Sequence, residues 1–190
     1  MDEKEDAMKT YVTADLHFGH ENIIKFCAPT RGHFKDADHM NEEMVRMWNE
    51  IVNPEDNVYI LGDVAFMQAQ KAAEMVNRLN GRKILIQGNH DVKTLRDPMF
   101  RMCFAEIHVY HEIDWRGTRV CMFHYPIAEF NQMHRGAVHF HGHLHGKPNG
   151  LEEYRVRDVG WDATGNIVTD MDDIFPEALK GKVKNHHPTT

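Results

Sequence analysis

The chain has 190 residues, 42% of them hydrophobic and 27% charged, which is the composition of a globular domain and not of a disordered segment. Its formal charge of −7, from 22 Lys and Arg against 29 Asp and Glu, argues against a protein that grips nucleic acid through a broad basic face. No apolar run reaches the roughly 18–20 residues of a membrane span, and the charged N-terminal stretch lacks the apolar core of a secretory signal.

The elements follow in chain order. Residues 10–14 read as a strand. Residues 36–52 read as a helix, with Met40, Met44, Met47, Trp48 and Ile51 on one face at offsets of three and four. A second strand covers 57–61. A helix follows over 68–79, stopped by Asn80-Gly81. Residues 83–87 form the next strand. Residues 107–113 and 118–123 flank Asp114-Trp115-Arg116-Gly117 and read as a hairpin. Short strands at 137–140, 153–159 and 166–168 precede a closing helix at 171–179, with Thr169 and Asp172 as a weak capping pair. Alternating strands and helices, then hairpins, imply an α/β sheet that is parallel at first and mixed later. One domain is expected over residues 8–181, with flexible ends at 1–7 and 182–190.

The chemistry lies where the strands end. Five apolar runs lead into Asp15-Leu16-His17, Gly62-Asp63, Gly88-Asn89-His90-Asp91, His124 and His141-Gly142-His143-Leu144-His145. In an open α/β sheet the carboxyl ends of the strands line the ligand crevice, so strands sharing one sheet would deliver these groups to a common place. The set offers carboxylate, carboxamide and imidazole but no thiolate. That suits Mn, Fe or Zn and disfavours Cu(I), iron–sulfur clusters and sites made for Mg or Ca alone. Seven donors exceed what one tetrahedral ion needs. Two ions sharing a carboxylate, whose two oxygens can face both, would use all of them. Cys27, Cys103 and Cys121 are widely spaced and odd in number, which fits a reduced, cytoplasmic chain.

The ordered motifs Asp15-x-His17, Gly62-Asp63, Gly88-Asn89-His90-Asp91, His124 and Gly142-His143-x-His145 resemble the calcineurin-like metallophosphoesterases. The resemblance implies a four-layer α-β-β-α sandwich with two mixed sheets flanked by helices, and a pair of divalent metals. Asp15, His17, Asp63 and His145 resemble the ligands of one metal; Asp63, Asn89, His124 and His143 resemble those of the other. A hydroxide bridging the metals is then expected to attack phosphorus in line. His90 is expected to protonate the leaving oxygen or to stabilise charge on the phosphoryl group.

Other polar residues have weaker signals. His20 is a candidate substrate neighbour or a helix-end contact. Arg31 is a candidate phosphate contact, with a surface salt bridge as the alternative. Asp91 would orient His90, anchor its loop or cap a helix. His141, and less so His139, would support the ligands from behind. His186 and His187 read as part of a solvated tail, and Asp162 as a structural residue of the late sheet.

The motif of the protein Ser/Thr phosphatases has an arginine after its GDxxD that is missing here, which argues against phosphoprotein substrates. The short inserts leave no room for a large cap. The favoured expectation is a phosphodiesterase acting on a small nucleotide-like substrate, such as a cyclic nucleotide. The alternatives are a phosphomonoesterase, a nuclease with the same metal core, and a non-catalytic scaffold. No membrane partner and no long nucleic acid are expected.

Overall fold

Side-chain alternation along the strands decides the layering. The computed structural model describes residues 8–184. In β1 (Thr10–Thr13), Tyr11 joins one apolar cluster and Val12 another, because successive side chains leave opposite faces of a strand. The same division holds in β2 (Asn57–Ile60), where Val58 and Ile60 face one cluster and Tyr59 the other. β3 (Arg82–Ile86) sends Leu85 and Ile86 to opposite sides.

The first sheet has the order β4-β3-β2-β1-β9, with β4 at Glu106–His108 and β9 at Thr169–Asp170. β1 to β4 are mutually parallel and β9 runs antiparallel to β1. Helices cover its outer face. α1 (Ile23–Phe26) and α2 (Ala28–Arg31) are single turns. α3 (Ala37–Ile51) buries Met40, Met44, Val45 and Trp48, and Asp36 caps its start by accepting from the His39 N–H at 2.8 Å. α4 (Ala69–Asn77) buries Ala72, Ala73 and Val76, while α5 (Asp91–Thr94) and α6 (Pro98–Arg101) are again single turns. The second sheet has the order β5-β6-β7-β8, formed by Tyr110–Trp115, Thr118–Phe123, Val138–His141 and Val156–Asp158. β5 is antiparallel to β6, and β6, β7 and β8 are parallel.

The two sheets close on a shared core of Val12, Ala14, Leu61, Ile86, Val120 and Phe140, to which α8 (Met171–Leu179) adds Met171, Phe175 and Ala178. The outer face of the second sheet is covered by Phe130, Met133 and Leu151, on segments that include one 3₁₀ turn at Met133–Arg135. The architecture is therefore the expected α/β one, two mixed sheets with flanking helices.

Four expectations change. The stretch 107–113 is not one hairpin strand: β4 pairs with β3 in the first sheet, and after the exposed Val109 the chain joins the second sheet as β5. The hairpin turn is only Arg116-Gly117, both at positive φ (51° and 78°), as a tight two-residue turn requires. The late strand lies at 169–170, not at 166–168. Residues 182–184 are tied down: the Lys182 N–H donates to the Glu153 carbonyl at 2.8 Å, and Lys184 Nζ meets Glu129 Oε1 at 2.6 Å. Of the expected flexible ends 1–7 and 182–190, residues 1–7 and 185–190, with His186 and His187, lie outside the described residues.

Candidate metal centre

The motif-bearing loops leave two sheets, not one. β1, β2 and β3 supply Asp15, His17, Asp63, Asn89 and His90 from the first; β6 and β7 supply His124, His143 and His145 from the second. Backbone hydrogen bonds lock the loops together: Asp15 N–H to Gly62 O, His17 N–H to Asp63 O, and Gly142 N–H to His124 O, at 2.9–3.0 Å. The loops approach so closely that a Cβ on Gly62 would lie 2.6 Å from Gly88 Cα and from His124 Nδ1. Seven non-glycine residues have positive φ among the described residues, and five are predicted ligands: Asp15, His17, Asp63, His143 and His145. Such a conformation costs about 1–3 kcal/mol per residue and persists only where the surroundings impose it. Here the left-handed residue is what turns each chain sharply after its strand.

The donors form two groups. The ligand atoms of Asp15, His17 and His145 lie within 4.8 Å of one another, as do those of Asp63, His124 and His143. Asp63 stands between them. Its Oδ2 is 3.9 Å from His17 Nε2 and 3.5 Å from His124 Nε2, while Oδ1 accepts the His90 N–H at 2.9 Å. One oxygen of Asp63, rather than both, therefore faces the two groups. Asp15 divides similarly: Oδ2 accepts the His143 N–H at 2.8 Å, and Oδ1 is buried without a partner. Both ring nitrogens of His17 are also buried and unpartnered. His124 Nδ1 meets the Leu61 carbonyl at 2.7 Å and so carries a proton, which turns Nε2 toward Asn89 Oδ1 at 2.9 Å and Asp63 Oδ2 at 3.5 Å. Burial opposes charge on this ring, but Asp63, Asp15 and the Leu61 carbonyl lift it above its ordinary value. Acceptors converging without donors are satisfied by a cation or by a proton. Protein groups alone hold these side chains in altered protonation. Burial lifts the Asp15 carboxyl to about 7, and burial together with His145 holds His17 well below its usual value.

Arg31 departs from its expected role. It is fully buried, so it presents no surface to a phosphate and makes no surface salt bridge. Its Nε and Nη2 hold the two oxygens of Asp162 at 2.9 and 2.8 Å. Nη1 and Nη2 also donate to the carbonyls of Leu16 and Asp15, and the guanidinium lies 4.5 Å over the Trp161 ring. Asp162 belongs to α7 (Trp161–Thr164), not to the sheet, and its Oδ2 is 2.7 Å from His145 Nδ1. It thereby orients a predicted ligand and leaves that ring's Nε2 for the centre. Burial opposes charge on His145, but Asp162, Cys27 and Asp15 together lift it to about 10. Cys27, His145 and Asp162 also cluster, yet the Arg31 guanidinium already supplies the positive charge there. No signal within the sequence marks Asp162, because the burial of Arg31 and its need for a carboxylate emerge only in the fold.

His90 stands at the rim, with its side chain 44% exposed and Nε2 3.8 Å from Asp63 Oδ2. Phe66, which carries no motif, packs its ring 4.2 Å from both His90 and His20 and 5.1 Å from His17. His20 shares a cavity of about 370 Å³ with His17, His90, His145 and Lys147. Asp91 anchors the loop and is not a cap: it accepts from the N–H groups of Asp63, Val64 and Gly88, tying two ligand loops together. His141 bonds the Gly142 carbonyl at 2.8 Å and Asn149, and so supports the backbone just before His143. His139 serves the second sheet, meeting the Cys121 carbonyl and accepting from the Ile127 N–H.

Comparisons with known proteins identify the family. A family model described as calcineurin-like phosphoesterase matches residues 8–190. The chain is 34% identical over 148 residues to an uncharacterized protein of Methanocaldococcus jannaschii, covering 77% of this chain and 73% of that protein. It is 28% identical over 199 residues to the gene 66 protein of Mycobacterium phage L5, covering 87% and 92%. Among solved structures, a protein of unknown function from Aquifex aeolicus aligns with a TM-score of 0.71 and 26% identity, covering 90% of this chain and 99% of that one. With the family model spanning all the described residues, the chain belongs to the calcineurin-like phosphoesterases and is a metal-dependent phosphoester hydrolase.

Proposed function

We propose that the two donor groups each hold a divalent cation and that the enzyme is a phosphodiesterase for a small nucleotide-like substrate. The observation that carries this reading is that Asp15 Oδ1 and His17 Nε2 are both buried without a partner and 3.9 Å apart, with Asp63 Oδ2 3.9 Å from the same nitrogen. One ion would take Asp15, His17, Asp63 and His145; the other would take Asp63, Asn89, His124 and His143. The donors are oxygen and imidazole nitrogen, which favours Mn, Fe or Zn. Two such ions would supply Lewis acidity, charge neutralisation and a water made acidic enough to ionise near neutral pH.

The protein's own residues do the rest. Asp162 fixes the ring of His145, and Leu61 fixes that of His124, so both present Nε2 inward. Asp91 keeps the Asp63 and Asn89 loops in register. His90 is held by its backbone bond to Asp63 and by the Phe66 ring, with its imidazole free at the rim. From there it donates a proton to the departing oxygen, or stabilises charge on the phosphoryl group, at the edge of the site. The cavity beside it has Ile23, Phe26 and Phe66 for an apolar or aromatic ester arm and Lys147 for an anion. Two ions of charge +2 would bring the chain's formal −7 to −3 and outweigh Asp15 and Asp63 locally, so an acidic protein offers an anion a positive pocket. The remaining negative charge disfavours a long polyanion. The free, buried cysteines Cys27, Cys103 and Cys121 fit a reducing, cytoplasmic setting, and no described helix is long and apolar enough to cross a membrane.

The test is a substrate panel with Mn²⁺: 2′,3′- and 3′,5′-cyclic nucleotides, bis(p-nitrophenyl) phosphate, phosphomonoesters and single-stranded oligonucleotides. Small diesters should be cut with the highest kcat/KM. Faster monoester turnover would establish a phosphatase instead, and preference for long oligonucleotides a nuclease.

A further inference from the structure

Two concave surfaces meet at one ridge. Phe66 and His90, with ring centroids 4.2 Å apart, line both the 370 Å³ cavity and a larger open groove of about 1010 Å³. The groove starts at Asn89 and His90 and runs along α5 to Pro98, with residues 65–70 as its other wall. Its character differs from that of the cavity. Lys93 and Arg96 line it, and neither makes an ion pair among the described residues. The groove's one acid, Asp97, already accepts from Gln70 and from the Met99 N–H. Asp91, on the same short helix, points inward to three backbone donors. Gln68 and Gln70 add polar side chains to the opposite wall.

We propose that this groove is an anion subsite, taking the ester arm of a diester whose alcohol carries a further phosphate. The inference rests on the phosphodiesterase reading and narrows its substrate class. A phosphorus atom held at the metal groups lies beside His90. Lys93 stands three residues on, about 5–6 Å further by helix geometry, and Arg96 follows it. The second arm falls on the other side of the ridge, against Phe26, Ile23 and Lys147. A substrate with an arm on each side must be acyclic. A cyclic mononucleotide has both ester oxygens on one sugar and leaves the groove unused. A dinucleotide with a terminal phosphate fills both.

The experiment uses the full chain with Mn²⁺ and compares dithymidine monophosphate with the same dinucleotide bearing a 3′- or a 5′-terminal phosphate. The reading is the ratio of kcat/KM with and without the terminal phosphate, taken within each variant so that differences in folding cancel. The wild type should favour one phosphorylated form by about 10-fold, through KM, as two exposed charge contacts allow. The ratio should shrink in 0.5 M salt and fall to near unity in Lys93→Ala/Arg96→Ala, with each single variant intermediate. A wild-type ratio of one, or a ratio that survives in the double variant, overturns the subsite. Bis(p-nitrophenyl) phosphate separates the two failures: if the wild type cuts it while the ratio is one, only the subsite falls. If it is not cut at all, the diesterase reading falls and the subsite with it.

Discussion

Replacing Asp162 with Asn tests how the first donor group is held. The Asp162 side chain is 3% exposed and accepts from Arg31 Nε and Nη2, Thr30 Oγ1 and His145 Nδ1 at 2.7–2.9 Å. Asp162→Asn keeps the shape but removes the charge that Arg31 faces. The guanidinium would then be buried against the carbonyls of Asp15 and Leu16, the Trp161 ring and one amide oxygen, with no carboxylate bonded to it. Removing one partner of a buried pair costs about 3–5 kcal/mol, and the remaining amide oxygen puts this variant near 3 kcal/mol. Loss of the carboxylate behind a ligating histidine weakens metal binding by about 10–100-fold. Urea unfolding of the metal-free protein reads the first effect, and Mn²⁺ titration calorimetry the second. One of two binding events should weaken and the other should hold, because Asp162 contacts only the His145 side. Stability within about 0.5 kcal/mol of wild type, or equal weakening of both events, would refute the reasoning.

Three further outcomes follow from particular contacts. Burial first, then His141, holds His139 at about 4; its Nδ1–H serves Cys121 and its Nε2 accepts from Ile127, so the neutral ring fits. A histidine depressed from 6.5 contributes stability above pH 6.5 that is lost as pH falls through 4, about 3 kcal/mol by that point, and His139→Gln should remove that slope from urea midpoints measured between pH 7 and 4. Gly142→Ala would place a Cβ 2.5 Å from Ala14 Cβ and 2.6 Å from Asp15 Oδ2, so thermal melts should show a loss of about 1–3 kcal/mol together with weaker Mn²⁺ uptake. Adding Mn²⁺ to chelator-stripped protein should raise its stability by about 2.7 kcal/mol per site at 100 times the dissociation constant, and a melting temperature that ignores Mn²⁺ would count against preformed sites.

The donors were legible because the relevant signal is local. An apolar strand followed within a few residues by Asp, Asn or His marks a ligand wherever the strand lies, so assigning the strands to one sheet or two left the donor list unchanged. The helix at 36–52 was legible for the same reason, and the structure moves its ends by one residue each. Misreadings came where tertiary partners decide. Nothing within the stretch 107–113 shows that Val109 separates two sheets, since both strands have the same alternation. Arg31 reads as a surface cation until Asp162, far along the chain, closes over it. Phe66 reads as an ordinary aromatic, and only the fold brings His17, His20 and His90 around its ring.

The central claim is that Asp63, which stands between the two donor groups, would be shared by both metal sites. Asp63→Ala, assayed for bound Mn²⁺ and for bis(p-nitrophenyl) phosphate hydrolysis beside the wild type and His90→Ala, tests it most directly. Wild type should bind two ions and turn over, His90→Ala should keep two ions with much slower turnover, and Asp63→Ala should lose both the paired binding and the activity. Two tightly bound ions and undiminished hydrolysis in Asp63→Ala would contradict the account.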